Sequence, residues 1–246
     1  MKTVLFTDLD GTLLTEKYRF DETKPAITYL LAKNVAIVFC SSKTRLEIEF
    51  YRKQMGVCDP FISENGAAIY IPHSYFQHNY IYTRQTEDCN AIELGIPYVK
   101  LRQSIKKIAA KTGAKIVGFG DMTAQEIAQD AGLNFELARL AKQREFDEPF
   151  RIAEGNEKQV FAEIRNEGLG VTKGDGYYHL SGNHDKGSAV TLLNKLYVEN
   201  FGRTRTMAVG NSQNDLSMLK VADMSFFVEK TGDLGSVWKR IAACVT

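Results

Sequence analysis

The sequence has few of the features that mark secreted, membrane-bound or nucleic-acid-binding proteins. Its four cysteines include no C-x-x-C pair, which argues against a zinc ribbon or a thioredoxin-like centre and fits reduced thiols. The 31 lysines and arginines nearly balance the 30 acidic residues, so no excess of positive charge attracts nucleic acid or an anionic membrane. No long apolar run follows a basic N-terminus, which predicts a cytoplasmic protein without a signal peptide or membrane span.

The pattern of apolar residues predicts an α/β fold with a doubly wound, parallel, Rossmann-like sheet. Apolar residues form 44% of the 246 residues, enough to bury one large core or two smaller ones. Short apolar runs such as TVLF, VAIVFC and PFIS alternate with helical patterns such as KPAITYLLAKN and TRLEIEFYRKQMG. The same alternation returns near the C-terminus in DKGSAVTLLNKLYVEN, TMAV, NDLSMLKVA and MSFFV.

Between these two stretches the pattern changes. It becomes AIELG, then a long helical segment through YVKLRQSIKKIAAKTG and two shorter ones around TAQEIAQDAG and FELARLAKQ, and ends in GYYHLSG. We therefore expect an inserted α+β cap domain over residues 84–181, with residues 1–83 and 182–246 forming the core domain.

Two aspartates follow the first apolar run, where an open α/β sheet presents the carboxyl ends of its strands and binds ligands. Asp8 and Asp10 are two residues apart, so in an extended chain both carboxylates can face one site. A divalent cation would relieve their repulsion, and Mg²⁺ prefers oxygen ligands while keeping positions open for water and phosphate. The alternative is a D-x-D-G turn in which Gly11 supplies a positive φ.

The stretch DLDGTLL after an apolar strand resembles the first motif of the haloacid dehalogenase superfamily of phosphatases. The resemblance implies that Asp8 is the nucleophile and becomes an aspartyl-phosphate. It implies that Asp10 is a general acid/base, which protonates the leaving oxygen and later activates water. The backbone carbonyl of Asp10 would also ligate Mg²⁺.

Two more segments match this superfamily in the expected order. Ser41, at the end of VAIVFC, stands where the second motif has a hydroxyl that hydrogen-bonds the phosphoryl group, and Ser42 and Lys43 are expected to bind substrate. Lys186, in GNHDKGSAV, matches the third motif, a lysine that offsets the charge of the nucleophile and the phosphoryl group. Taken alone, SSKT is also explained as an N-cap, and Lys186 as a solvated lysine at a helix start.

The fourth motif departs from the family pattern. Members usually have G-D-x-x-N-D, whereas VGNSQNDLSML has Asn211 in place of the first Asp. The resemblance implies a Mg²⁺ site with one fewer negative charge, held through an amide oxygen or by recruiting Asp215. We expect weaker metal affinity and slower turnover, and a contact from Asn214 to the substrate. The expected metal ligands are Asp8, Asp10, Asn211 and Asp215.

The segment FISENGAAIYIP contains Glu64, Asn65 and Gly66, a pattern typical of the branch whose cap is inserted after the third core strand. Gly66 also suits a plain hairpin turn between PFIS and AAIYI. Asn65 is expected to contact the substrate.

Over nearly its full length the chain resembles the mannosyl-3-phosphoglycerate phosphatase family, notably in IELGIPYVKLR, GFGDMTAQEIAQDAGL and LAKQREFDEPF. The resemblance implies hydrolysis of mannosyl-3-phosphoglycerate to phosphate and mannosylglycerate, a compatible solute. Arg144 would hold the carboxylate with its planar fork, and Asp121 would contact sugar hydroxyls. The family usually has R-E-Y-D-E, so Phe146 lacks a hydroxyl that a sugar contact would use. The alternative for KQREFDE is a charged, solvated helix end.

Other functions stay open at this point. They are a phosphatase or phosphomutase acting on another phosphorylated sugar, and a catalytically weakened sugar-phosphate binding protein, which Asn211 alone favours. In each case we expect a small phosphorylated sugar as the ligand, no nucleic acid or membrane partner, and a monomer or homodimer. The histidines lack metal-ligand spacing and are expected at the surface or in hydrogen bonds, with only His184 near the site. They are His73, His78, His179 and His184.

Overall fold

A computed structural model describes residues 1–174, 176–229 and 233–245. The strands in these ranges are β1 (Lys2–Thr7), β2 (Ala36–Phe39), β3 (Phe61–Ser63), β4 (Ala68–Pro72), β5 (Arg84–Gln85), β6 (Cys89–Glu93), β7 (Lys115–Gly118), β8 (Glu148–Glu154), β9 (Gly170–Lys173), β10 (Tyr178–Ser181), β11 (Thr204–Gly210) and β12 (Met224–Phe227). The helices are α1 (Lys24–Ala32), α2 (Arg45–Met55), α3 (Tyr98–Thr112), α4 (Ala124–Ala131), α5 (Phe135–Ala141), α6 (Glu157–Asn166), α7 (Lys186–Phe201), α8 (Leu216–Val221) and α9 (Leu234–Ala243).

The core is a parallel sheet with strand order β12-β11-β1-β2. Its central strand β1 is apolar on both faces, because helices cover both sides of a parallel sheet. Side chains alternate between the faces: Leu5 joins one hydrophobic cluster, whereas Val4 and Phe6 join the other. The predicted doubly wound α/β core is confirmed.

A second sheet, with order β3-β4-β6-β5, is antiparallel and continues from the edge of the core. A parallel bridge between Cys40 and Ile62 joins the end of β2 to β3. The hairpin between β3 and β4 turns through Glu64, Asn65 and Gly66, all with positive φ. Gly66 lies so close to the backbone of Asp185 that a side chain there would collide with it. The predicted hairpin turn is therefore also a packing contact.

A third sheet, with order β7-β8-β10-β9, is antiparallel, and α3 and α6 pack on it. Leu101 and Ile105 of α3 join Val160 and Ile164 of α6 in its hydrophobic cluster. This is the α+β insertion that the sequence predicts. The domain division at residues 83/84 and 181/182 stays a prediction. The strand pairing favours a first boundary that comes later in the chain than residue 84, because β5 and β6 belong to the same sheet as β3 and β4.

Within the described residues, no helix combines the length and apolar character needed to cross a bilayer.

Candidate active site

Three predicted site residues follow three neighbouring parallel strands. Asp8 comes directly after β1, Ser41 shortly after β2, and Asn211 directly after β11. Parallel strands present their carboxyl ends at one edge of a sheet, where ligands of open α/β folds bind. Another predicted site residue, Lys186, is the first residue of α7. Asp185 caps this helix by accepting a hydrogen bond from the Ser188 N–H at 2.8 Å.

Lys186 is buried between two carboxylates at the carboxyl ends of these strands. Its Nζ is 2.7 Å from Asp8 Oδ1 and 2.6 Å from Asp215 Oδ1, and its side chain is fully buried. Burial alone would lower the pKa of Lys186, but the charges of Asp215 and Asp8 outweigh burial and raise it. The ammonium therefore stays charged, and the alternative of a solvated lysine at the helix start is wrong.

The nucleophile predicted from the sequence has a strongly perturbed carboxyl group. Burial, followed by the charge of Asp215, raises the pKa of Asp8 to about 7, although Lys186 lowers it. Its Oδ1 accepts a hydrogen bond from Lys186, so the other oxygen remains for chemistry. A cation beside Asp8 would stabilise the ionised form that a nucleophile requires.

Asp215 organises the loop of the fourth motif. Its Oδ2 accepts hydrogen bonds from the backbone N–H groups of Asn211 at 2.9 Å and Ser212 at 3.0 Å, and from Ser212 Oγ at 3.0 Å. Its Oδ1 accepts from Lys186. With both oxygens occupied by protein donors, Asp215 positions Asn211 and Lys186, and we no longer expect it to ligate metal directly.

The first and fourth motifs touch at Gly11. This residue has φ +67°, as the turn alternative requires, and a Cβ there would collide with Asn211 Nδ2. The contact places the Asn211 amide beside the loop of Asp8 and Asp10. No three His, Cys, Asp or Glu residues in the described ranges form a metal site by themselves. The oxygens that fit Mg²⁺ are those of Asp8, Asp10 and Asn211, and the third of these is an amide.

Lys43 is paired with the predicted acid/base. Its buried Nζ lies 3.0 Å from Asp10 Oδ1 and 3.5 Å from Glu47 Oε1. Burial would lower the pKa of Lys43, but Asp10 and Glu47 outweigh burial and raise it. Lys43 therefore brings a permanent positive charge next to Asp10.

The segment SSKT also caps α2, as the alternative interpretation requires. Thr44 Oγ1 accepts a hydrogen bond from the Glu47 N–H at 3.2 Å, and Glu47 accepts one from the Thr44 N–H at 2.9 Å. Ser41 is fully buried, and its hydroxyl accepts from the Lys43 N–H at 3.3 Å. Ser42 and Lys43 line the adjacent cavity, whereas Ser41 is not among its described lining residues. The phosphoryl contact of Ser41 stays a prediction.

A cavity of about 650 Å³ separates these core loops from the cap. This volume suits a small ligand. On the core side it is lined by residues including Asp8, Asp10, Ser42, Lys43, Asn211 and Asn214; on the cap side by residues including Phe119, Asp130, Arg144, Arg151, Tyr177 and His179.

Two predicted substrate residues do not line this cavity. Asp121 forms an ion pair with Arg102 and accepts a hydrogen bond from the Gly118 N–H at 3.0 Å. It therefore stabilises the turn after β7, and the predicted sugar contact is not supported. Asn65 donates from Nδ2 to Asp147 at 3.0 Å and accepts at Oδ1 from Asn214 Nδ2 at 2.9 Å. Asn65 thus connects the fourth-motif loop to the cap.

Arg144 occupies the boundary between cap and core. Its Nη1 donates to the Ser42 carbonyl at 2.7 Å, its Nε donates to the Ala141 carbonyl at 3.1 Å, and its guanidinium carbon lies 5.7 Å from the centre of the Phe119 ring. Both hydrogen-bond acceptors are neutral carbonyls, so no carboxylate of the described residues is hydrogen-bonded to this guanidinium, although the charges of Asp147 and Glu64 act on it.

The segment around Arg144 is docked onto the core, so the alternative of a solvated helix end is wrong. Glu64 accepts hydrogen bonds from the backbone N–H groups of Glu145 at 2.9 Å and Phe146 at 2.8 Å. Phe146 is buried in the main hydrophobic cluster against Gly95 and Ala67, and it does not line the cavity. A hydroxyl on this ring would therefore not line the cavity.

The histidine expectation is wrong in one respect. His179 lines the cavity and His184 does not, although His184 lies closer to Lys186 in the sequence. His179 contacts Asp147, and Arg151 and Tyr177 share its wall of the cavity. The sequence carried one signal for His179: a histidine within the apolar strand pattern of GYYHLSG, which needs a buried partner.

The geometry agrees with comparisons to known proteins. The sequence pattern of the haloacid dehalogenase-like hydrolases matches residues 5–234. The chain belongs to this family. Among its relatives, a glucosyl-3-phosphoglycerate/mannosyl-3-phosphoglycerate phosphatase of Methanococcoides burtonii is 42% identical over 233 residues, 94% of this chain and 86% of the relative. A mannosyl-3-phosphoglycerate phosphatase of Pyrococcus horikoshii is 39% identical over 226 residues, 92% of this chain and 90% of the relative.

Solved structures of this hydrolase family share the fold at low sequence identity. A subclass IIB sugar phosphatase superposes with a TM-score of 0.65 at 16% identity, covering 100% of both chains. A haloacid dehalogenase-like hydrolase from B. subtilis gives a TM-score of 0.66 at 16% identity, covering 98% of this chain and 100% of the other. These structures therefore share the fold of this chain over nearly its whole length.

Proposed function

We propose that this chain is a Mg²⁺-dependent phosphatase that hydrolyses mannosyl-3-phosphoglycerate to mannosylglycerate and phosphate. One observation carries the reaction class: Asp8 lines a cavity between core and cap while its Oδ1 is held by the buried ammonium of Lys186. This arrangement presents one free carboxylate oxygen to a ligand and keeps a fixed positive charge beside it. The names of the relatives support the substrate.

The residues account for both halves of the reaction. In the first half, the free oxygen of Asp8 attacks phosphorus, the bond from phosphorus to the glycerate oxygen breaks, and Asp10 gives its proton to that oxygen. In the second half, Asp10 takes a proton from water, the water oxygen attacks the aspartyl-phosphate, and inorganic phosphate leaves Asp8. Lys186 offsets negative charge near Asp8 throughout.

The metal would be held by a carboxylate oxygen of Asp8, the backbone carbonyl of Asp10 and the side-chain oxygen of Asn211. When bound, Mg²⁺ supplies positive charge to the phosphoryl oxygens. Because Asn211 is neutral, this chain provides one fewer negative charge than the usual family pattern, which predicts a weaker site.

Substrate specificity would come from the cap. Arg144 carries a positive charge in the same cavity as Asp8, and a phosphoglycerate ester bears a carboxylate in addition to its phosphate. The name of the Methanococcoides burtonii relative favours a second substrate, glucosyl-3-phosphoglycerate, which has the same acidic group.

Release of inorganic phosphate from mannosyl-3-phosphoglycerate tests the proposal, measured with increasing Mg²⁺ for the wild type and Asp8→Asn. We expect turnover by the wild type and none by Asp8→Asn, with both chains melting at similar temperatures. Equal inactivity of the two chains at saturating Mg²⁺ would rule out the enzyme. Calorimetric binding without turnover would favour the sugar-phosphate binding protein instead.

A further inference from the structure

His179 and Asp147 form a buried pair at the boundary between cap and core. His179 lies on β10 and Asp147 immediately precedes β8, the neighbouring strand. His179 Nδ1 is 2.9 Å and 3.1 Å from the two carboxylate oxygens of Asp147, which is fully buried. The mechanism proposed above uses neither residue.

The contact fixes the proton on one ring nitrogen. An ionised carboxylate only accepts hydrogen bonds, so His179 Nδ1 must be the donor. Burial would raise the pKa of Asp147, but the charge and hydrogen bond of His179, with help from Arg144 and Asn65, outweigh burial and hold this pKa below its ordinary value. Among the described residues, His179 alone lies within ion-pair distance of Asp147.

The other ring nitrogen, Nε2, lies beside Gly174, a second residue of the cavity wall. His179 lines the cavity together with Gly174, and a Cβ at residue 174 would lie 2.8 Å from His179 Nε2. Within the described ranges, Nε2 forms no hydrogen bond. It is also not among the fully buried polar atoms that lack a partner, so part of its surface is accessible. A side chain at residue 174 would therefore cover this nitrogen, which the glycine leaves accessible.

The remaining cations of the cavity wall show which groups are available. Lys43 is paired with Asp10, and Arg151 is paired with Asp130 at 2.7 Å. Arg144 donates only to neutral carbonyls, and His179 leaves Nε2 open. Of the positively charged or chargeable side chains that line the described cavity, these two remain for a second anionic group.

We infer that His179 is a substrate-binding residue: with both ring nitrogens protonated, Nδ1–H donates to Asp147 and Nε2–H donates a hydrogen bond to a carboxylate on the alcohol part of the phosphate ester. Asp147 holds the ring in the required orientation, and Arg144 contributes the second positive charge. The inference rests on the proposed function, because it assigns the carboxylate of a phosphoglycerate ester to the cap side of the cavity.

Two ligands that differ mainly in the carboxylate provide the test: 3-phosphoglycerate and glycerol 3-phosphate. Their dissociation constants are measured calorimetrically with Mg²⁺ on Asp8→Asn chains, which cannot turn them over. We expect His179→Gln to weaken 3-phosphoglycerate binding about 10- to 100-fold, the range of a charge-assisted hydrogen bond, and to leave glycerol 3-phosphate within about twofold.

Gly174→Ala is the matched second variant, because it keeps the imidazole but places a methyl group 2.8 Å from Nε2, so that the methyl group or the ring must shift and Nε2 is covered. It should reproduce the selective loss even if His179→Gln folds poorly. His73→Gln, at an exposed histidine outside the cavity, should change neither constant.

Equal weakening of both ligands by Gly174→Ala, or no weakening of either, would overturn the inference. So would a parent chain that binds the two ligands equally well. The proposed function fails separately, when the wild type releases no phosphate, because the binding comparison needs no turnover.

Discussion

The ammonium of Lys186 lies 2.7 Å from the carboxylate of Asp8, and both side chains are removed from solvent. Asp215, 2.6 Å from the same ammonium, completes a buried group of one cation and two anions. Such a group is costly to break, because removing the cation leaves two carboxylates facing each other without water.

Lys186→Met should therefore lower the free energy of unfolding by about 3 to 5 kcal/mol, in addition to abolishing phosphate release. Urea denaturation provides the measurement. The double variant Lys186→Met/Asp215→Asn should recover part of the loss, because it removes one of the uncompensated charges. An unchanged free energy of unfolding in Lys186→Met would show that water reaches this group.

Asn211→Asp should strengthen metal binding. The added carboxylate lies beside Gly11 in the loop of Asp8 and Asp10, so it restores the charge that the family pattern usually provides. We expect the Mg²⁺ concentration at half-maximal activity to fall about tenfold, with faster turnover, which corresponds to about 1.4 kcal/mol.

Without metal the same substitution should lower the melting temperature, because a third acid then faces Asp8 and Asp10 uncompensated. The sign of this shift should reverse as Mg²⁺ is added. If neither the Mg²⁺ requirement nor the rate changes, Asn211 does not occupy a ligand position.

Arg144→Lys should impair substrate binding more than turnover. Lysine keeps the charge but cannot donate to the Ser42 and Ala141 carbonyls while presenting a planar donor pair to a carboxylate. We expect KM for mannosyl-3-phosphoglycerate to rise about tenfold with kcat within about twofold. Arg139→Lys, at an exposed arginine of α5, is the matched control. A fall in kcat alone would place Arg144 in the chemical step.

Glu64 should make stability depend on pH. It is fully buried, and burial raises its pKa from the ordinary 4.5 to about 8, although Arg144 lowers it. Between these two values the folded chain keeps a proton on Glu64 that the unfolded chain has lost. The contribution of Glu64 to the free energy of unfolding therefore decreases as pH rises from about 4.5 to about 8.

Glu64→Gln removes this titration. The stability of the variant relative to the wild type should increase by up to about 1.4 kcal/mol for each pH unit across that window. Urea denaturation of both chains at several pH values measures the difference. A difference that is independent of pH would mean that Glu64 titrates alike in the folded and unfolded chains.

The sequence predicted which strand ends meet at one edge of the core sheet, because that information is local. Asp8 and Asn211 each follow an apolar strand, and parallel pairing alone is enough to bring such strand ends together. Lys186 required more: only the order of the motifs distinguished it from an ordinary helix-start lysine. Its burial between two carboxylates then follows from the packing of α7 against the sheet.

The cap side of the site could not be read in the same way. Asp121 forms an ion pair with Arg102, 19 residues away, and His179 is paired with Asp147, 32 residues away. Contacts between such distant segments leave no trace in hydrophobic periodicity, because they depend on how α3 packs on the cap sheet and how its strands align. Asp215 shows a further limit: its residue type suited a metal ligand, but its Oδ2 accepts from backbone N–H groups and its Oδ1 from Lys186.

Gly66 has a mechanical consequence for the reaction. A Cβ at this hairpin would lie 2.9 Å from the backbone nitrogen of Lys186, on the first turn of α7. The two stretches of core sequence, which the insertion separates, thus meet at a backbone contact that has no room for a methyl group. A side chain at residue 66 would force the hairpin or α7 to shift, and functional groups must be held within about 0.5 Å of their working geometry. The absence of a side chain at Gly66 thus allows the start of α7, and with it the Lys186 ammonium, to lie this close to the hairpin.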